Sequence, residues 1–259
     1  MISAQVRNVD KFAAAAFLES SQGNRPISRT TVDSYAAAMR RGEWLLNGEG
    51  IQFDADGNLL NGHHRCHAII KSGVAIQALV VEGCDKESFK TFDGGKKRGT
   101  GDMLAIKGEL NAIKLAAVAR AYAMLQEPKK PGGDFTPTVV MDCLDKHPEL
   151  RYWTQKQVGN GVLKRFPSLL SAIAAAASEK YGNDVVEVFF DKLATGIGLQ
   201  KGDPALLLRE RFLNLSDKKM RMQHNMSTGL IVKAINAHIK GKKLGVLRFN
   251  PEEAMPVIE

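Results

Sequence analysis

The amino-acid sequence predicts an α+β protein: a small α/β module over residues 1–110, then an all-helical region over 111–259. Three observations carry this. Residues 51–62, "IQFDADGNLLNG", alternate about a turn cluster and read as a β-hairpin. "HHRCHAIIKSG" then has helical spacing and "AIQALVVEG" strand composition, so both periods occur in the first part. Beyond residue 111 the periodic stretches are helical throughout, and "PKKPGGDFTPT" is the linker candidate.

The elements follow in order. "NVDKFAAAAFLESS" reads as a short helix. "PISRTTVDSYAAAMRRGEW" is a stronger one, with Pro26 and Ser28 at its start, a stripe of Val32, Tyr35, Ala36 and Met39, and Gly42 as its stop. After the hairpin, the helix from 63 ends at Gly73. "DKESFKTF" is a short helix and "DGGKKRGTGD" a turn that opens a further helix near Asp102. "NAIKLAAVARAYAMLQE" is helical, as are about 138–146, 149–158, 167–180, 184–195, 204–214 and 217–240.

Composition excludes some classes. Of 259 residues, 44% are hydrophobic and 25% charged, as in ordinary globular chains. No apolar run is long enough to cross a bilayer, and "MISAQVRNVDKF" carries charge where an export signal needs an apolar core. Cys66, Cys84 and Cys143 are odd in number and widely spaced, which fits a reducing cytoplasm. The net charge of +8 is unevenly placed: residues 203–248 carry ten basic and three acidic side chains. Such a face favours polyanions, nucleic acid above all. Lys218, Lys219, Arg221, Lys240, Lys242 and Lys243 are its candidate contacts, against the plainer reading of a solvated helix face.

The stretch "GNLLNGHHRCHA" at 57–68 admits three chemistries. His63, Cys66 and His67 share one helix face, but a zinc site needs a further ligand, and His147, His224 and His238 read as isolated. No metal is expected. Cys66 falls about a turn inside the helix, where a small apolar side chain packs, so core filling outweighs a nucleophilic role. The phosphate reading uses the whole stretch. Gly62 permits a tight turn and close approach of a ligand, the helix N-terminus attracts an anion, His64 can donate, and Arg65 offers a guanidinium fork.

"FDADGNLLNGHHRCHAIIKSGV" resembles the central motif of the ParB/sulfiredoxin-like superfamily, which reads Asp-Gly-x-His-Arg-x-x-Ala between a strand and a helix. The match falls on Asn61, where the family often has Asp, and on Gly62, His64, Arg65 and Ala68. "NRPISRTTVDSYAAAMRRGEW" and "FDGGKKRGTGDML" resemble their counterparts in a phage- and prophage-type branch, so the resemblance spans roughly residues 5–107. "FFDKLATGIGLQKGDPALLLRERF" and "IVKAINAHIKGKKLGVLRF" resemble the C-terminal part of uncharacterised members and bring no role.

The resemblance implies a fold that binds ATP or CTP with Mg2+, holding phosphates at Asn61, Gly62, His63, His64 and Arg65. Members use the nucleotide to clamp DNA, to activate a sulfinic acid or to phosphorylate a hydroxyl, and some are called nucleases. Sulfiredoxin has its catalytic cysteine directly before the His-Arg pair. Here that residue is His63, so sulfinic-acid repair is not expected. Partition proteins add a helix-turn-helix and a dimerising tail. The first is not legible here, and a homodimer stays open. Kinase-like members use a glutamate before the core strand as base. Glu43 and Glu49 stand there, and Glu49 with His64 forms the candidate catalytic pair.

Other residues have two readings each. Arg98 and Thr100, beside Lys96 and Lys97, are phosphate or DNA contacts, or a solvated basic loop capped by Thr100 or Asp102. Arg25 and Ser28 reach the nucleotide, or Ser28 caps its helix. Asp54 and Asp56 hold magnesium, or shape a turn. Trp44 reads as core. The expectation is a nucleotide-binding, DNA-associated protein. The alternative is a phosphotransferase or nuclease of the same fold, and the sequence does not decide whether the nucleotide is turned over.

Overall fold

The computed structural model describes residues 1–21, 26–91, 98–127, 135–156, 164, 166–217 and 223–259. It is a mixed α+β structure that divides into two compact units. The first is Met1–Lys97 with Pro131–Thr138; the second is Arg98–Lys130 with Val139–Glu259. Arg25, Lys96, Lys97, Lys218, Lys219 and Arg221 lie outside the described residues.

The first unit runs β1 (Ser3–Val9), α1 (Lys11–Glu19), α2 (Arg29–Arg40), β2 (Ile51–Asp54), β3 (Leu59–Asn61), α3 (His63–Ser72) and β4 (Ile76–Cys84), then a 3₁₀ helix, Lys86–Thr91. The sheet order is β1-β4-β2-β3. β4 pairs antiparallel with β1 and parallel with β2, and the β2–β3 pair is the expected hairpin. Its turn hangs on Asp54. Oδ1 accepts from the Asp56 and Asn58 amides at 2.9 and 2.7 Å, and Oδ2 from the Asn58 side chain at 2.9 Å. The Asn58 side chain and these amides hold the carboxyl below its usual range. The turn reading of "DADG" thus has its mechanism.

Helix ends follow from local chemistry. Asp10 caps α1 by accepting from the Phe12 and Ala13 amides, and Ser28 caps α2 by accepting from the Thr31 amide. The stripe of α2 buries Val32, Ala36 and Met39, and α3 packs on both α1 and α2. Tyr35 and Trp44 meet edge to face at 5.2 Å against this core, as the core reading of Trp44 requires. Strand β1 has no counterpart in the sequence reading. Only Val9 is buried along it, so this edge strand lacks the alternation that reveals half-buried strands.

The second unit is helical among its described residues: α4 (Thr100–Ile106), α5 (Ala112–Gln126), α6 (Pro137–Lys146), α7 (Glu149–Gln155), α8 (Pro167–Tyr181), α9 (Asn183–Thr195), α10 (Pro204–Asp217) and α11 (His224–Ile239). The first residues of α6 belong to the first unit. α11 begins at His224 rather than near 217. Helix α8 is its axis, buried on all sides from Leu169 to Ser178. Its run of alanines lets α5, α7, α9 and α11 approach it closely. Trp153 and Phe190 meet at a tilt beside it, and the Trp153 indole donates to Ser178 at 2.9 Å. On α11, Gly229 leaves room for the Phe249 ring, which a Cβ there would meet at 2.4 Å. No described helix is long and apolar enough to cross a membrane.

Candidate functional site

The turn between β3 and α3 is built as strand, glycine, helix. Gly62 has φ 106°, and a Cβ would lie 3.1 Å from two side-chain carbons of Ile51. Both facts demand glycine. Asn61 Oδ1 accepts from the Gly62 amide at 2.7 Å, and its Nδ2 donates to Gln52 at 3.3 Å, which fixes the turn to β2. Helix α3 then starts with no side-chain cap.

The two side chains that the sequence assigns to phosphate hold protein groups. His64 is buried, and its Nε2 accepts from the Ser28 amide at 3.0 Å, tying the start of α2 to the start of α3. Arg65 donates to the Glu49 carbonyl and, at 2.9 Å, to the Gly50 carbonyl. The fork therefore pins the chain just before β2. Glu49, exposed, is brought to the α3 turn through its main chain. Glu43 is engaged by Arg41 at 2.7 Å and by Thr136 at 3.1 Å.

His63 differs from its neighbours. Its Nδ1 is buried and has no hydrogen-bond partner among the described residues. The ring meets His67 edge to face at 5.0 Å. Burial, then the nearby His67 and His64, push its pKa down. Cys66 is fully buried, and burial pushes its thiol up to about 12. It is core filling, with no thiolate to offer as nucleophile or ligand.

The remaining candidates fall in the second unit. Thr100 opens α4, but Asp102 does the capping, accepting from the Gly99 amide at 2.8 Å. Arg98 precedes that turn. Lys240 pairs with Glu259. Lys242 and Lys243 are exposed and line a cleft of about 340 Å³ with Lys192, Gln200, Asp203 and His238. Asp203 pairs with Lys192 at 3.3 Å, and burial together with the Lys192 charge pushes His238 down. On α11, Leu230, Ile231, Ala234 and Ile235 are buried and Ile239 partly so.

One reading needs correction. His147 is not isolated: its Nδ1 lies 2.7 Å from Glu179 Oε1 and 3.4 Å from Glu149 Oε1. A His-Pro-Glu step into α7 was the available signal, but Glu179 stands on another helix, α8. No protein-family model, curated protein or solved structure matches the chain.

Proposed function

We propose that the first unit binds a nucleoside triphosphate, ATP or CTP with Mg2+, at the α3 turn, and that the protein is DNA-associated, as its resemblance to the ParB/sulfiredoxin-like superfamily implies. The observation that carries the reading is His63 Nδ1, a buried polar atom without a described partner, beside a helix start that no side chain caps. Buried polar atoms are almost always paired, so an orphan at a helix N-terminus points to a ligand. The helix dipole selects an anion there. In this reading His63 donates to phosphate, Gly62 lets it approach, and His64 and Arg65 hold the two walls rather than the ligand. Lys242 and Lys243 then supply exposed charge for a nucleic-acid backbone.

Calorimetric titration of the whole chain with ATP, CTP and GTP in the presence of Mg2+ tests this. One site is expected, weakened about ten- to a hundredfold in His63→Ala, the worth of one charge-assisted hydrogen bond. A folded protein that takes up none of the three, or a His63→Ala variant that binds as well as wild type, overturns it. A second reading, phosphoryl transfer to a hydroxyl with Glu49 receiving the hydroxyl proton, is favoured by the Arg65 link that joins Glu49 to this turn. Transfer of the γ-phosphoryl lost in Glu49→Gln distinguishes it from binding alone.

A further inference from the structure

The second unit holds a cluster that the nucleotide reading does not use. His147 lies just before α7, Glu149 at its first residue, Glu179 on α8 and Tyr122 on α5. The ligand atoms of His147, Glu149 and Glu179 all lie within 4.8 Å of one another. The Tyr122 hydroxyl reaches Glu179 Oε1 at 2.7 Å, Glu179 Oε2 at 2.8 Å and His147 Nδ1 at 3.1 Å. Tyr122 is fully buried, whereas His147 and Glu179 keep about 30% of their side-chain surface. The cluster is thus anchored in the core and open at its rim.

The geometry points to a divalent-cation site at His147, Glu149 and Glu179, of the zinc or manganese class, with Tyr122 as the residue that positions Glu179. Three features argue for it. The first is the donor set. One imidazole nitrogen and two carboxylates suit first-row transition ions better than magnesium or calcium, which prefer all-oxygen cages. The second is spacing. Ligands about 2.0–2.2 Å from a tetrahedral ion stand about 3.3 Å apart, so these atoms need only small rotamer shifts to enclose one. The third is an unsatisfied acceptor. Glu149 Oε1 is buried and has no hydrogen-bond partner among the described residues, although it stands 3.4 Å from His147 Nδ1. A buried carboxylate oxygen without a donor is costly, and a cation is the partner that removes the cost.

Burial, then a hydrogen bond to Glu179, push Glu149 up to about 7. When Glu179 Oε1 turns to an ion, Oε2 keeps the tyrosine hydroxyl, the outer support that metal-bound carboxylates normally have. Cys143 feels both carboxylates, but burial first and those charges next push its thiol up to about 11, and it faces the Ala119 carbonyl at 3.7 Å. It stays a thiol and is no ligand. Three protein donors leave a coordination position for water or an exogenous ligand.

The test uses the whole chain, stripped with a chelator and dialysed. Calorimetry with ZnCl2, and electron paramagnetic resonance with MnCl2, should each report one ion per chain. Glu149→Gln replaces a carboxyl by its neutral isostere, so it should fold as wild type by circular dichroism yet bind more than a hundredfold more weakly. Tyr122→Phe should lose about ten- to a hundredfold, the scale of an outer-shell partner. Absence of one-to-one binding of either ion overturns the site, as does a folded Glu149→Gln variant that binds as tightly as wild type. In that case the cluster is a proton-sharing carboxyl pair. Neither outcome depends on triphosphate binding at the α3 turn.

Discussion

At the start of α3, His64 and Arg65 use their polar atoms on main-chain groups of Ser28, Glu49 and Gly50. At the start of α7, Glu149 keeps a buried oxygen with no hydrogen bond among the described residues and faces a second carboxylate. Both places gather histidine and charge. The first turns most of them into structure, and the second leaves one carboxylate oxygen without a described partner. A charged side chain in a suggestive motif is therefore weak proof of a ligand, because the protein itself is often the partner. Polar atoms left over after the internal hydrogen bonds are counted discriminate better. By that criterion His63 and Glu149 stand out, one in each unit.

The largest expected effect tests how exacting the first site is. Gly62→Ala places a Cβ in a left-handed backbone and against Ile51. Strain of the backbone and crowding together should cost about 2–4 kcal/mol. Urea unfolding followed by circular dichroism measures it. A loss below about 1 kcal/mol would mean that the turn relaxes easily and does not require glycine.

Arg65→Lys comes next. Lysine keeps the charge but cannot donate to two carbonyls at fixed spacing. The segment before β2 should loosen at a cost of about 1–2 kcal/mol in stability, while, in the proposed reading, triphosphate affinity falls only as far as the wall moves. If affinity falls without any loss of stability, Arg65 contacts the ligand directly, and the contrast between the two sites narrows.

These two variants also show what was legible in the sequence. The hairpin, α3 and its Gly62 start were readable because their signals are local: turn residues at fixed spacing and a change of period within a few positions. The destinations of the side chains were not. Arg65 meets carbonyls about fifteen positions earlier in the chain, and His64 meets an amide 36 positions earlier. Sequence spacing carries no information about either pairing. Glu149 and Glu179 lie on separate helices, and Tyr122 reaches Glu179 across 57 positions, so His147 read as isolated. Strand β1 failed for another reason, since an exposed edge leaves no periodic trace.

The smallest effect concerns the parts that burial and partnership play in the shift at Glu149. Glu109 offers the control, because its side chain is exposed to the same 21% as that of Glu149. Arg151 donates to both its oxygens, at 3.0 and 3.1 Å from Nε. That guanidinium holds the Glu109 carboxyl below its usual range, whereas Glu149 is pushed up. At like side-chain exposure the shifts are opposite, because the Arg151 donor outweighs burial at Glu109 whereas burial leads at Glu149. For Glu109 the linkage runs one way. Its folded pKa is lower than the unfolded value, so the pair stabilises fully above the ordinary carboxylate pKa of about 4.3 and is lost as pH falls through the lowered folded value. Glu109→Gln should therefore cost about 1 kcal/mol at pH 7, a modest figure because the pair is partly solvated. The same variant should match wild type near pH 2. Thermal unfolding of both proteins between pH 2 and pH 7 measures the gap. A gap that stays constant down to the lowest pH would mean that Arg151 does not set the Glu109 pKa, and that partnership does not explain the contrast with Glu149.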